Sequence, residues 1–155
     1  MIVDIPGFKK IEIHHLVCDY NGTIANNGKL IEGVDILINK LSEKISVYVI
    51  TADTFGTVEK ELQNTKCTVI KIEKNNQADQ KLKLIRKLNP ENTVAFGNGR
   101  NDELMLKESI IGIGILENEG IYTKNLLSAD ILCKSIIDAF ELLTIPNKLI
   151  ATLRN

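Results

Sequence analysis

The chain has 155 residues, of which 44% are hydrophobic and 25% are charged, a composition typical of a globular protein and not of a disordered one. Its 19 basic and 20 acidic residues are interspersed and give a net charge of -1, so the sequence predicts no nucleic-acid partner and no anionic membrane surface. This length predicts one domain over residues 1–155, built around one core.

No part of the sequence has the features of a membrane span or an export signal. The longest apolar run, residues 110–116, is far shorter than the ~20 residues that cross a bilayer. The N-terminal residues 1–10 lack a basic start followed by an apolar stretch. We therefore expect a soluble, cytoplasmic protein. Its cysteines are widely spaced in apolar runs, which favours reduced core thiols, and they are Cys18, Cys67 and Cys133.

Short apolar runs rich in β-formers alternate along the chain with segments of helical period. The predicted strands cover residues 11–19, 46–51, 67–72, 93–97, 110–115 and 131–133. The predicted helices cover residues 34–44, 54–64, 76–88, 101–108, 123–127 and 136–143. This alternation, with strands nearly continuous in Val, Ile and Leu, is typical of a parallel sheet buried on both faces. We predict an α/β fold with a doubly wound, Rossmann-like sheet.

Polar residues follow three of the predicted strands, where open α/β sheets bind their ligands. The segments are Asp19-Tyr20-Asn21-Gly22-Thr23, Thr51-Ala52-Asp53 and Gly97-Asn98-Gly99-Arg100-Asn101-Asp102. A carboxylate attacks a phosphoryl group only where cations and hydrogen-bond donors offset the negative charge. Asp19 is the candidate nucleophile, the turn through Gly22 offers backbone N–H groups, and Lys81 adds a fixed charge. Asp102 and Asn98 offer oxygen ligands suited to Mg²⁺.

These elements resemble, in order, the four motifs of the haloacid dehalogenase (HAD) superfamily. Residues 19–23 are similar to its Asp-x-Asp-Gly-Thr motif, and residues 97–106 are similar to its Gly-Asp-Gly-x-Asn-Asp-x-x-Met-Leu motif. Thr51 matches the hydroxyl residue of the second motif and Lys81 the lysine of the third. The resemblance spans residue 17 to about residue 143. It implies a Mg²⁺-dependent phosphohydrolase, or phosphatase, that works through an aspartyl phosphate on Asp19.

The resemblance assigns a set of site residues. The implied catalytic residues are Asp19, Asn21, Thr51 and Lys81. The implied phosphate-binding residues are Tyr20, Gly22, Thr51, Ala52 and Lys81. The implied metal ligands are Asp19, the backbone carbonyl of Asn21, Asn98 and Asp102.

A later segment is similar to the phosphorylation domain of P-type ATPases, through Gly112-Ile113-Gly114 and Ser128-Ala129-Asp130-Ile131. Because the sequence has no membrane span and no large insert, this resemblance implies a free-standing relative and excludes ATP-driven transport. The short segment 24–35 leaves room for a minimal cap or none. The implied substrate is a small-molecule or protein-bound phosphate ester at an open site. Capless relatives are oligomers, so self-association is also implied.

Two residues depart from the family pattern. Asn21 stands where phosphatases of this family carry the aspartate that protonates the leaving group and activates water. An amide cannot exchange a proton at neutral pH, so we expect slow turnover. Asn98 keeps an oxygen ligand but removes a charge, which should weaken Mg²⁺ binding. The alternative is a non-catalytic or regulatory domain that binds phosphate and Mg²⁺ without turnover.

Three structural interpretations compete with the functional ones. Lys83 lies two residues from Lys81 on the predicted helix, so only one of them can face the site, and the spacing favours Lys81. Asp53 is expected to cap the helix that follows it. The fourth segment is also compatible with a simple loop and a helix N-cap at Asn101 or Asp102.

Overall fold

The structure is a computed structural model that describes residues 1–53 and 57–155. Its strands are β1 (Ile2–Ile5), β2 (Lys9–Glu12), β3 (His15–Asp19), β4 (Ala25–Asn26), β5 (Lys29–Leu30), β6 (Ser46–Thr51), β7 (Thr68–Lys71), β8 (Thr93–Gly97), β9 (Ile111–Ile115) and β10 (Ile131–Cys133). Its helices are α1 (Val34–Leu41), α2 (Thr57–Glu61), α3 (Gln77–Lys87), α4 (Glu103–Glu108), α5 (Asn125–Ser128), α6 (Ile136–Thr144) and α7 (Pro146–Leu153). Short 3-10 turns cover Pro90–Asn92 and Arg100–Asp102.

Six strands form a parallel sheet in the order β10-β9-β8-β3-β6-β7. Every residue of β8 and β9 is buried, as expected for central strands covered on both faces. The three strands β3, β8 and β6 lie side by side, which brings their carboxyl ends to one edge of the sheet. The predicted α/β fold with a parallel, doubly wound sheet is confirmed.

Successive residues of β3 pack into two separate cores, because neighbouring side chains of a strand point to opposite faces. Cys18 belongs to the larger core, together with Phe140 of α6. Val17 belongs to the second core, together with Ile85 of α3 and Met105 of α4. Helices therefore cover both faces of the sheet, and α3 lies on the face where it can reach the end of β3.

The N-terminal region differs from the prediction. The single strand predicted over residues 11–19 is divided in two, because β2 ends at Glu12 and β3 begins at His15. β1 and β2 instead form an antiparallel hairpin. Its turn includes Gly7, whose φ of 77° is costly for residues with a side chain. One apolar run thus contains the last residues of a hairpin and the first of the central sheet.

The other elements lie close to their predicted positions. The strands predicted over 46–51, 93–97 and 131–133 are confirmed with those bounds as β6, β8 and β10. The helix predicted over 54–64 is represented by α2, while residues 54–56 lie outside the described residues. The sequence did not predict α7, which begins with a proline in its first turn and buries Leu149.

Only a small hairpin, β4–β5, stands between β3 and α1. It is held by Tyr20, a buried residue whose hydroxyl donates a hydrogen bond to the Gly28 carbonyl oxygen at 3.0 Å. This agrees with the expected minimal cap. Within residues 1–53 and 57–155, none of the helices has the length and apolar character that crossing a bilayer requires.

Candidate active site

An open cavity of about 700 Å³ lies beyond the carboxyl ends of β3, β6 and β8. Most of its described lining is polar and includes Asp19, Asn21, Thr51, Asn98, Asn101 and Glu119. Asp19 is the last residue of β3 and Thr51 the last residue of β6, while Asn98 directly follows β8. The three polar segments of the sequence therefore meet in one place.

A buried lysine joins the carboxylates of two of these segments. Lys81 Nζ donates a hydrogen bond of 2.6 Å to Asp19 Oδ1 and another of 2.6 Å to Asp102 Oδ1. The side chains of Lys81 and Asp102 are 1% and 0% exposed, whereas that of Asp19 is 13% exposed. Lys83 points to solvent from the same helix. Of the two lysines, Lys81 is the one that the fold places at the site.

Burial dominates the ionisation of this cluster. It raises the pKa of Asp19 to about 7, with a further increase from the charge of Asp102 and an opposing effect of Lys81. Burial alone would lower the pKa of Lys81, but the charges and hydrogen bonds of the two carboxylates outweigh it and raise that pKa. Lys81 therefore remains an ammonium group. A further cation near Asp19 would favour its ionised form.

Asp102 lies beneath the cavity and organises its floor. Asp102 Oδ2 accepts hydrogen bonds from the backbone N–H groups of Asn98 at 3.0 Å and Gly99 at 2.8 Å. Its other oxygen accepts from Lys81, so both carboxylate oxygens are engaged within the protein. Gly97 leaves room for this contact, since a Cβ there would lie 2.6 Å from Asp102 Cβ. Neither Asp102 nor Lys81 is among the described residues that line the cavity.

Thr23, the last residue of the first motif, links two candidate metal ligands. Its buried hydroxyl lies 3.3 Å from Asp19 Oδ2 and 3.2 Å from Asn98 Oδ1. One hydroxyl hydrogen cannot fully satisfy both oxygens. The second oxygen of Asp19 and the amide oxygen of Asn98 thus both lie within 3.3 Å of the Thr23 hydroxyl and keep spare acceptor capacity.

The Gly22 amide, a predicted phosphate-binding group, is engaged within the turn after β3. Gly22 N donates a hydrogen bond of 2.9 Å to the Ala25 carbonyl oxygen, so it is not directed at the cavity. Three successive amides of this turn, from Thr23 to Ala25, contact the Tyr20 carbonyl oxygen, which sets the direction of the chain. Gly22 has a conformational role instead, with a φ of 76°.

The second segment lines the cavity beside Asp19. Thr51 Oγ1 accepts a hydrogen bond of 3.1 Å from the Asp53 backbone N–H, which leaves the hydroxyl hydrogen of Thr51 available as a donor. Ala52 also lines the cavity. Asp53 Oδ2 contacts the Thr57 hydroxyl at 2.6 Å and the Val58 N–H at 3.4 Å. These contacts agree with the predicted structural role of Asp53 at the start of the helix.

The donors of this site fit a hard divalent cation. Within the described residues, no group of three or more His, Cys, Asp or Glu side chains is placed to hold a metal. The site instead combines the Asp19 carboxylate with the Asn98 amide oxygen, and Asn21 lines the same cavity. Mg²⁺ in proteins often has only one or two carboxylate ligands and keeps several waters. The oxygen donors therefore suit Mg²⁺, with little charge to hold it tightly.

No family model matches the sequence. Over 79 residues it is 46% identical to the uncharacterized protein MJ0073 of Methanocaldococcus jannaschii, a match that covers 48% of this chain and 85% of that protein. The chain belongs to the family of MJ0073. A second protein of this archaeon, the uncharacterized protein MJ0072, is 44% identical over 39 residues, which are 25% of this chain and 89% of that protein.

The solved structures most useful for comparison are phosphatases with the HAD fold. One is 3-deoxy-D-manno-octulosonate 8-phosphate phosphatase from Moraxella catarrhalis in complex with magnesium, phosphate and KDO, with a TM-score of 0.70 and 16% identity over 92% of this chain and 94% of that one. Another is the cobalt-bound deoxy-D-mannose-octulosonate 8-phosphate phosphatase from Haemophilus influenzae, with a TM-score of 0.71 and 12% identity. The match covers 93% of this chain and 94% of that one. A HAD superfamily phosphatase from Bacteroides thetaiotaomicron has a TM-score of 0.63 and 12% identity over 92% of this chain and 96% of that one.

These likenesses show that this chain, a member of the MJ0073 family, has the HAD fold, as its four motifs implied. The narrower resemblance to the P-type ATPase phosphorylation domain has no support from these structures. It stays a prediction from residues 112–114 and 128–131 alone.

Proposed function

We propose that residues 1–155 act as one Mg²⁺-dependent phosphohydrolase domain in which Asp19 is phosphorylated during hydrolysis of a phosphomonoester. One observation carries this proposal. Lys81 fixes one oxygen of Asp19 at 2.6 Å, while the carboxylate stands at the edge of an open polar cavity on a HAD fold. A carboxylate held in this way has a defined direction of attack.

In the first step an oxygen of Asp19 forms a bond to phosphorus, and the bond from phosphorus to the ester oxygen breaks. Thr51 donates its free hydroxyl hydrogen to a phosphoryl oxygen, and Lys81 offsets part of the negative charge from below. Asp19, the Asn21 carbonyl and Asn98 would hold Mg²⁺, which would supply further charge neutralisation; Asp102, also a predicted ligand, has both carboxylate oxygens engaged within the protein. Asp102 acts through its contacts with Lys81 and the loop at Asn98.

In the second step water attacks the aspartyl phosphate and releases inorganic phosphate, which restores the Asp19 carboxylate. Both steps move a proton, first to the departing alkoxide and then from the attacking water. Asn21 lines the cavity at the position where the family pattern has an aspartate. Its amide can neither donate a proton to the alkoxide nor accept one from the water. Bulk water must therefore protonate the departing alkoxide and accept the proton of the attacking water, so the proposed enzyme is slow and its phosphorylated form should persist.

The asparagines at positions 21 and 98 favour a second candidate function. In this case the domain binds phosphate and Mg²⁺ in a regulatory role without turning substrate over. The open cavity, bordered by the small β4–β5 hairpin, admits small-molecule or protein-bound phosphate esters. Self-association, which the resemblance to capless relatives implies, is tested by light scattering.

A panel of phosphomonoesters, assayed with Mg²⁺ and with EDTA, decides between the two functions. The phosphohydrolase proposal predicts Mg²⁺-dependent phosphate release by the wild-type protein and none by Asp19→Asn. The binding proposal predicts no release from any ester, together with a rise in melting temperature on adding Mg²⁺ and beryllium fluoride.

A further inference from the structure

A carboxylate that the sequence motifs do not include lies at the candidate metal site. Glu119 lines the cavity together with Asp19 and Asn98. A Cβ built on Gly22 would lie 2.9 Å from Glu119 Oε2, 2.9 Å from Asn98 Oδ1 and 2.4 Å from Asn98 Nδ2. The Glu119 carboxylate and the Asn98 amide therefore converge on the same point above the turn after β3.

Asn98 itself fixes the turn that carries Glu119. Its side-chain Nδ2 donates a hydrogen bond of 3.0 Å to the Gly120 carbonyl oxygen, and its backbone carbonyl accepts from the Tyr122 N–H at 2.8 Å. On the other side of the turn, Glu117 Oε1 accepts from the Ile136 N–H at 2.7 Å. An aspartate at position 98 has no side-chain N–H to donate to Gly120. The amide that removes a charge from the site thus also holds a charged neighbour close to it.

The charges around the cavity leave a role for this neighbour. Lys81 lies between Asp19 and Asp102, so the three ionised groups carry one net negative charge. Glu119 adds another, and the other charged residues in the described lining, Asp53 and Lys74, are opposite in sign. Two negative charges therefore remain, which matches a divalent cation. Glu119 is exposed, and within residues 1–53 and 57–155 no hydrogen bond or ion pair engages its carboxylate.

We propose that Glu119 supplies the anionic oxygen that position 98 lacks, so that a divalent cation at Asp19 and Asn98 is also held by the Glu119 carboxylate. The contact is direct or passes through one of the waters that Mg²⁺ retains. This inference rests on the Mg²⁺ site of the proposed function, but not on turnover. It explains how the site tolerates asparagine at position 98: the charge has moved to a neighbouring turn.

Metal binding without any phosphate ester tests this inference. Free Mn²⁺ is measured by electron paramagnetic resonance during titration of the wild-type protein, Glu119→Gln, Asn98→Asp and the double variant. Glu91→Gln is the matched control, because Glu91 is exposed and lies next to the start of β8, at the opposite end of the sheet. Melting temperatures in EDTA verify that each variant is folded.

Glu119→Gln should raise the dissociation constant for Mn²⁺ by at least about fivefold, as expected for loss of one charge from a partly screened site, and Glu91→Gln should leave it unchanged. Asn98→Asp should tighten binding by a larger factor in the Glu119→Gln background than in the wild-type background, because one carboxylate then replaces the other. Equal factors in both backgrounds, or wild-type affinity in Glu119→Gln, would overturn the inference. So would a wild-type protein that binds no Mn²⁺ at millimolar concentration. Absence of phosphatase activity alone would refute the proposed reaction and leave this result intact.

Discussion

The site has a buried half and an open half that differ in charge and in hydrogen bonding. The buried half consists of Asp19, Lys81 and Asp102, all ionisable and joined by hydrogen bonds of 2.6 Å. The open half presents amide side chains to the cavity, among them Asn21 and Asn98. The buried half thus has the charges that the HAD pattern leads one to expect, while the open half has lost two of them.

This difference separates what the fold requires from what the chemistry requires. Removing one member of a buried ion pair leaves an uncompensated charge in the interior, which strongly destabilises a protein. Replacing the exposed Asn21 amide by a carboxylate changes little in the core, because this residue remains in contact with water. Asn98 is buried and holds the turn at Gly120, so a change there also affects local structure. Changes in the buried half should therefore alter both stability and chemistry, and a change at Asn21 mainly the chemistry.

The largest effect is expected from Asp19→Asn, which removes the nucleophile from the buried half. Phosphate release should fall by at least about 10³-fold, since the amide oxygen is a poor nucleophile. The measurement is Mg²⁺-dependent phosphate release, with circular dichroism to verify the fold. A variant as active as the wild-type protein would exclude Asp19 as the nucleophile.

Lys81→Met tests the stability of the buried half. It leaves Asp19 and Asp102 without the ammonium between them, so the free energy of unfolding at neutral pH should fall by about 3–5 kcal/mol. Lys83→Met is the matched control on the same helix, and it should change the free energy by no more than about 0.5 kcal/mol because Lys83 is exposed. Urea denaturation measures both. Equal effects of the two substitutions would mean that the lysine bridge does not stabilise the fold.

Asn21→Asp restores a carboxylate to the open half. Turnover of an ester with a poor leaving group should rise by at least about tenfold, a fraction of the usual contribution of general acid–base catalysis. An activated aryl phosphate should gain less from leaving-group protonation. Asn101→Asp is the control, since it places the same charge elsewhere in the cavity. If both variants gain equally, or neither gains, position 21 is not the acid–base position.

The pH dependence of stability tests the buried environment of Asp19. In the metal-free protein the pKa of Asp19 is raised from 3.8 to about 7, so the folded state holds this proton more tightly than the unfolded state. Stability from this group is therefore lost as pH rises from about 4 to about 7. In EDTA, the wild-type protein should lose roughly 4 kcal/mol more than Asp19→Asn over this window, since each unit of pKa shift contributes about 1.4 kcal/mol. Parallel stability curves from urea denaturation would show that Asp19 does not titrate there.

The sequence predicted the buried half of the site more fully than the open half. β6 and β8 could be placed residue for residue because each is an apolar run with polar residues at its end. Asp19 and Asn98 then had to share one edge of the sheet. Lys81 followed from its spacing, and its separation from Lys83 on a helix left only one of them for the site.

The features of the site that the sequence did not predict depend on three-dimensional contacts that the motifs do not specify. Glu119 lies in a turn that has no periodic signal and is positioned by the Asn98 amide. The direction of the Gly22 N–H depends on a local hydrogen bond to Ala25, which the motif alone does not specify. Thr23 had a sequence signal, as the last residue of the first motif, but its role follows only from its distances to Asp19 and Asn98.

Trapping of the phosphorylated protein tests whether Asp19 becomes phosphorylated during the reaction. Wild-type protein is mixed with a phosphate-labelled ester and Mg²⁺, quenched in acid at millisecond intervals, and digested for mass spectrometry. We predict a hydroxylamine-sensitive acyl phosphate on Asp19 that accumulates in the wild-type protein and is depleted in Asn21→Asp. Mg²⁺-dependent release of phosphate with no phosphoryl group on Asp19 in either protein would contradict it.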